Sequence, residues 1–381
     1  MGVFASQYDH ARDRDAADCR DDCRTAPPRL CWQRRVRIAA GLIFAAGLWA
    51  SAAQAEVLRL ATWTTELSRR GPGVLLRDML RGQDPQIKAS LAVLAHANAD
   101  VVALYGLDWD ADLRALGWLA QQAGYSHFFA LPPNRGLMTD RDLDGDGRFG
   151  RAGDAQGWGL FHGDGAMALI SRHPILTEKA QDFSATLWQD LPWATLPQTD
   201  GHLFPSAAAL DVQRLSSAGH WAVPIQPPDG PPVTLLLFHA TPPVFDGQED
   251  RNGLRNHDEI LFAAKILDDL RDIAHGPLVI LANTNLDPNG GEGRHVAMRA
   301  LLAHERLQDP QPKGARQTKT VDWSDLTPGD LRVSYVLPDA SLKDLASEVL
   351  WPQPDDPLLE TAETASRHRM VWVDVDWPPA P

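Results

Sequence analysis

Short, almost continuously apolar stretches recur along the chain, separated by longer segments in which apolar residues fall every three or four positions. Seven of the short stretches have the length and β-branched content of strands: VLRLATW from Val57, VVALYGL from Val101, AMALIS from Ala166, VTLLLFHA from Val233, LVILANTNL from Leu278, LRVSYVL from Leu331 and MVWVDVDW from Met370. Most show no apolar/polar alternation, which is the pattern of strands covered on both faces. Helical spacing marks PQIKASLAVLAHANA from Pro85, DADLRALGWLAQQAG from Asp110, HDEILFAAKILDDLRDIA from His257 and, more loosely, GEGRHVAMRALLAHERL from Gly291. The alternation predicts an α/β protein with layered sheets. The connections from Leu131 to Gly165 and from Leu196 to Pro232 are long and rich in Gly, Pro and Asp, so they are expected to line one rim. No internal repeat or linker divides the body, and residues 56–381 are expected to form one domain.

The first 55 residues have a different character. A polar stretch leads to Arg34, Arg35 and Arg37, then to the apolar run Ile38 to Ala50 and the small-residue site Ala53, Gln54, Ala55. That is the layout of a secretory signal. The apolar run is 13 residues, whereas roughly 20 are needed to span a bilayer, so cleavage after Ala55 and export to the periplasm or the exterior are expected, with no membrane span in the mature chain. All three cysteines, Cys19, Cys23 and Cys31, fall in this leader, which excludes disulfides and thiolate metal sites from the body. The whole chain carries a formal charge of −14, and the leader has more arginines than aspartates, so the body alone is more acidic still. A surface of that sign, without clustered Lys and Arg, disfavours tight binding of nucleic acid and hence a nuclease acting on long polymers.

Four polar segments sit at strand ends: LRLATWTTELSRRGP, the run HATPPVFDGQEDRNGLRNHDEI from His239, NTNLDP from Asn283, and SRHRMVWVDV near the end. Together they resemble the endonuclease/exonuclease/phosphatase superfamily over nearly the whole of residues 56–381. The resemblance implies a four-layer sandwich of two packed, mostly antiparallel β-sheets flanked by helices. It also implies hydrolysis of phosphate esters with magnesium or manganese, which polarise the phosphoryl oxygens and ready a water. Hard cations require carboxylate oxygens, and the match departs from the family where it supplies them. On the first strand Thr64 stands where the family has Asn, with Glu66 two residues on as a candidate metal ligand. The second strand puts Gly106 in the place of the principal metal-binding Glu, and Asp108, on the same face, is a candidate substitute. In the family's Gly-Asp-x-Asn motif this chain has Ala282, Asn283, Thr284 and Asn285. Asn283 cannot accept a proton, and roughly 10²-fold to 10⁴-fold of rate rests on a general base. Ser334 replaces an Asp, and Arg367 replaces the Asp of the terminal Asp-His pair, leaving His368 without its carboxylate neighbour.

The resemblance also implies catalytic roles for His239, Asn285 and His368, and substrate contacts from Thr64, Asn252 and Arg367, the last as a phosphate-holding cation. Asp250, Arg251, Asn252, Asn256, His257 and Glu259 match the signature after the fourth strand and read as loop architecture. Asp164, in HGDGAM, is a further candidate cleft ligand, and Asp287 and Glu292 are others. Separately, DLDGDGRFGRAGD from Asp142 has the D-x-D-x-D-G opening of a calcium loop, with Asp142, Asp144 and Asp146 as ligands. The closing acid belongs at the twelfth position, Gly153, and Asp154 lies one place later. Three functions are therefore expected: a family member with a degraded centre that binds a small phosphorylated ligand with weak or no turnover, a working phosphoesterase on small phosphorylated substrates, or a calcium-stabilised extracytoplasmic binding or structural protein.

Overall fold

The apolar stretches become the central strands of two sheets. The computed structural model describes residues 56–270 and 276–378, and the expected leader lies outside the described residues. The first sheet has six strands, in the order β12 (Asp344–Val349), β13 (Val371–Trp377), β1 (Glu56–Leu67), β2 (Val101–Leu107), β4 (Ala166–Ser171) and β3 (His127–Phe129). The second has five: β11 (Ser334–Pro338), β10 (Leu278–Asn283), β9 (Val233–His239), β8 (His220–Ile225) and β5 (Gln181–Asp182). A small hairpin, β6 (Gln198–Thr199) and β7 (His202–Leu203), stands apart from both. Within the two large sheets every pairing is antiparallel except β1 with β2 and β9 with β10.

Three layers of buried side chains explain why the strands are apolar on both faces. Between the sheets, Leu58, Leu60, Ala103, Tyr105 and Leu169 meet Trp221, Leu235, Leu237, Val279 and Leu281. On its outer face the six-stranded sheet packs Trp63, Val102, Leu104 and Ile170 against α1 (Val74–Arg81), α2 (Pro85–Ala97), α3 (Arg114–Gln122) and α7 (Leu358–Ala365). The five-stranded sheet packs Leu236, Phe238, Ile280 and Ala282 against α5 (Arg251–Asp269) and α6 (His295–Leu302). The result is the expected helix, sheet, sheet, helix sandwich. α2 starts where the sequence indicates, with the Asp84 carboxylate accepting from Ile87 N at 3.0 Å and Pro85 at its first position.

Several elements depart from the sequence reading. β8 and the short α4 (Ala207–Leu210) lie inside what reads as a long loop, because Pro224 and the polar His220 disguise β8 as a connection. The strand predicted from Leu331 begins at Ser334, and α5 starts at Arg251, within the polar run. α1 and α7 are short, eight residues each, and too brief for their periodicity to stand out.

Candidate functional site

Two parallel strand pairs decide where the site lies. β1 and β2 end at the same rim as β9 and β10, while the antiparallel neighbours β11 and β13 start there. Thr64 and Glu66, Gly106 and Asp108, His239, Asn283 and Asn285, Ser334 and His368 are therefore drawn to one rim. In the second sheet Asn283 is in register with both His239 and Ser334. The sheets are joined across this rim by the Asn283 amide, whose Nδ2 donates to Thr64 Oγ1 at 2.9 Å and lies 3.4 Å from His239 Nε2. Asn283 Oδ1 accepts from Asn285 N at 3.1 Å, which identifies Nδ2 as the nitrogen facing the histidine. The edge of the Tyr105 ring supports His239 at 5.4 Å.

Both histidines are held neutral. Burial pushes His239 well below its usual range, and the charge of Arg135 adds to the effect. Burial brings His368 down to about 4, with the Glu66 carboxylate acting in the opposite direction. His239 Nδ1, His368 Nδ1 and Ser334 Oγ are buried without a hydrogen-bond partner. Such atoms are uncommon in a folded protein and mark places where a ligand, water or chemistry is accommodated.

The carboxylates near this rim are engaged elsewhere. Glu66 has a left-handed backbone (φ 53°), and its Oε2 accepts from Ser366 Oγ at 2.8 Å and Arg367 N at 2.7 Å. Asp108 accepts from Arg69 N at 2.8 Å and from Gly165 N at 3.1 Å, one bond to each oxygen. Asp164 accepts from Ser68 Oγ and, at 2.9 Å, from Leu160 N. Both thus tie the loop after β1 to the approach to β4. Burial, helped by the charge of Asp164, pushes Asp108 up to about 6. Gly106 has φ +69°, and a Cβ there would lie 3.2 Å from Glu66 N, so the bulge between β1 and β2 favours glycine at this position. With Gly106, Asn283 and Ser334 offering no charge, the donors at this rim fit a hard divalent cation poorly.

Several predicted contacts are placed differently. Arg367 turns its guanidinium to Asp322 O, at 2.9 Å, and to the Asp325 carboxylate, which occupies part of the fork expected to hold phosphate. The Asn252 Nδ2 donates to Val244 O at 2.7 Å, closing the loop after β9, and Asn285 Nδ2 donates to Ala240 O at 2.7 Å. Asp287 accepts from Lys319 Nζ at 2.9 Å and from Arg332 N at 2.8 Å, and so serves as a turn anchor. Asp142, Asp144 and Asp146 each bring an oxygen within 4.8 Å of the others, the one such acidic group among the described residues. Asp154 is not part of it. It is buried, accepting from Leu143 N at 3.1 Å and Arg151 N at 3.0 Å. A side chain at Gly153 would start 1.7 Å from Asp144 Oδ2, so the loop has no room for the closing acid of a calcium loop at its twelfth position.

Beneath the rim, α5 inserts a polar face. Glu259 accepts from Ser217 N and Thr241 N, both at 2.6 Å, and Asn256 donates to Thr241 O at 2.7 Å and Thr284 O at 2.8 Å. Arg255 donates to Leu215 O at 2.8 Å and Gln156 O at 2.6 Å. Burial works against the Asp258 carboxylate, yet bonds from His257, Trp188 and Thr195 hold it below its usual range. These contacts shape a cavity of about 730 Å³ whose lining includes Arg135, Trp158, Ser217, Thr241, Phe245 and Arg251. It adjoins His239, whose carbonyl accepts from Ser217 Oγ at 3.2 Å. Trp158 and Phe245 are 60% and 89% exposed, leaving two aromatic rings open at its wall. Arg135 and Trp158 lie in no motif, and the only hint of them in the sequence is the length of the connection from Leu131 to Gly165; Phe245 falls within the polar run after His239, where nothing in its residue type marks it.

The fold has relatives among solved structures. An endonuclease/exonuclease/phosphatase from Beutenbergia cavernae is 18% identical, with TM-score 0.53 over 84% of this chain and 71% of that one. A family protein from Bacteroides thetaiotaomicron is 13% identical, with TM-score 0.49 over 84% of this chain and 98% of that one. At such identities the likeness concerns the fold alone. No curated protein matches significantly in sequence. The sequence signature of the Endonuclease/Exonuclease/phosphatase family matches residues 78–368, most of the chain and every rim residue just described except Thr64 and Glu66, and the chain belongs to that family.

Proposed function

We propose that this family member is an exported protein that binds a small phosphorylated ligand with weak or no turnover. The observation that carries the reading is the donor set at the rim: glycine, asparagine and serine at 106, 283 and 334, between two histidines held neutral by burial. Hydrolysis needs a base for the attacking water and a cation for the developing charge. Asn283 cannot be that base, and among the described residues Glu66 is the one carboxylate named at the rim with an oxygen, Oε1, free of hydrogen bonds. Export rests on the leader pattern at Ile38 to Ala55. The test is hydrolysis of a generic phosphodiester and a phosphomonoester by residues 56–381 with magnesium, manganese or calcium, alongside phosphate binding by calorimetry. Binding without turnover is expected, and metal-dependent turnover abolished by Asp108→Ala would overturn the reading.

That second outcome would favour a working magnesium or manganese phosphoesterase, for which the closeness of the Asp108 and Asp164 carboxylates speaks. A calcium ion held by Asp142, Asp144 and Asp146 is compatible with either and would stiffen the cavity wall, since Asp144 and Asp146 also line it. A calcium-dependent rise in melting temperature, lost in Asp142→Asn, is the check.

A further inference from the structure

At the rim the carboxylates of Asp108 and Asp164 are committed to backbone N–H and hydroxyl donors, yet a cation stands beside it. Arg135 lies in the loop between β3 and β4, where residues 134–138 run against residues 155–157 through bridges of Arg135 with Gly157 and of Met138 with Ala155. Its Nε donates to Asp164 O at 2.8 Å. This bond orients the guanidinium, and neither terminal nitrogen has an acceptor among the described residues. Gly165 beside it has φ +62°, a conformation that favours glycine, and a Cβ at Gly157 would lie 1.8 Å from Ser217 O. Arg135 lines the same cavity as Ser217 and Thr241, the residues that flank the end of β9, and its charge is felt at His239. Asp108 and Asp164 lie behind it with their oxygens turned to Ser68 Oγ and to backbone N–H groups.

We propose that Arg135 takes over the electrostatic task of the divalent metal, binding the anionic group of the ligand directly from the cavity, so that recognition at this centre is independent of metal. The inference rests on the proposed phosphate-binding function and specifies how that binding is achieved. A planar guanidinium whose Nη1/Nη2 edge is free matches the spacing of phosphate or carboxylate oxygens. His239, neutral and with Nδ1 unpartnered, and the Ser334 hydroxyl add uncharged polar contacts at the neighbouring rim.

The experiment is calorimetric titration of residues 56–381 with inorganic phosphate, once in excess EDTA and once in excess magnesium, repeated with Arg135→Gln and Arg135→Lys. Equal affinity in EDTA and magnesium is expected, with a loss on the order of tenfold or more in Arg135→Gln and a smaller loss in Arg135→Lys, which keeps the charge without the fork. The wild-type comparison needs no variant. Melting curves confirm that the variants fold, and a histidine titration by NMR should show His239 rising in Arg135→Gln. Binding that appears only with magnesium, or binding unchanged in Arg135→Gln, would overturn the inference while leaving phosphate binding itself intact. Absence of phosphate binding under every condition would overturn both.

Discussion

The polar face of α5 and the rim above it are both buried, and they treat their polar atoms in opposite ways. On α5, the carboxylates of Asp258 and Glu259 and the guanidinium of Arg255 are spent on named partners, and Asn256 Oδ1 is the exception. At the rim, His239, His368 and Ser334 each keep a buried atom with nothing to bind. A buried polar group left unpaired costs about 1–3 kcal/mol, so the scaffold avoids the cost and the site accepts it. The contrast separates architecture from chemistry within a single loop signature: Asp250 to Glu259 holds the cleft in shape, and the strand ends face into it.

The contrast can be broken first at Glu259. Replacing it by Ala frees the N–H groups of Ser217 and Thr241 and leaves Arg255 without its counter-charge, and a loss of about 3–5 kcal/mol is expected, read as a shift of the urea midpoint. Acid is the next largest lever. Burial lowers His220 to about 3 and His368 to about 4, so each is neutral when folded and takes up a proton more readily when unfolded. Their contribution is full above about 6.5 and is lost as the pH falls from there toward those lowered values, by a few kcal/mol for each residue. Urea unfolding between neutral and acid pH should show this slope, and His368→Gln should flatten it.

Asn283→Asp sharpens the comparison on the side of the site. A carboxylate beside His239 favours its charged form, so the histidine should titrate about one unit or more higher by NMR, with little change in melting temperature. The smallest effect is expected at Ser334→Ala. Removing a hydroxyl that has no partner should leave stability within about 1 kcal/mol or raise it, whereas a large loss in the melting curve would mean that the hydroxyl is satisfied after all.

The layered fold was legible because it depends on local signals. Continuous apolar runs such as LVILANTNL can only be strands covered on both sides, and the spacing in PQIKASLAVLAHANA can only bury one helix face. β8 was hidden by Pro224 and the helix start at Arg251 by its polar residues, since the burial of both is granted by neighbours distant in sequence. Among the site residues, the strand ends that meet at the rim were legible in the sequence, as was the absence of a carboxylate at Gly106, Asn283 and Ser334. It did not show that Asp108 and Asp164 are occupied by backbone N–H groups, that Arg367 faces Asp325, or that Asp154 caps Leu143. Nor could it find Arg135, whose loop has no periodicity. Residue identity determines which groups are able to carry charge, accept a proton or coordinate an ion. Which of them remain free to do so is decided by the partners that folding brings within about 3 Å, and those partners come from other strands and loops.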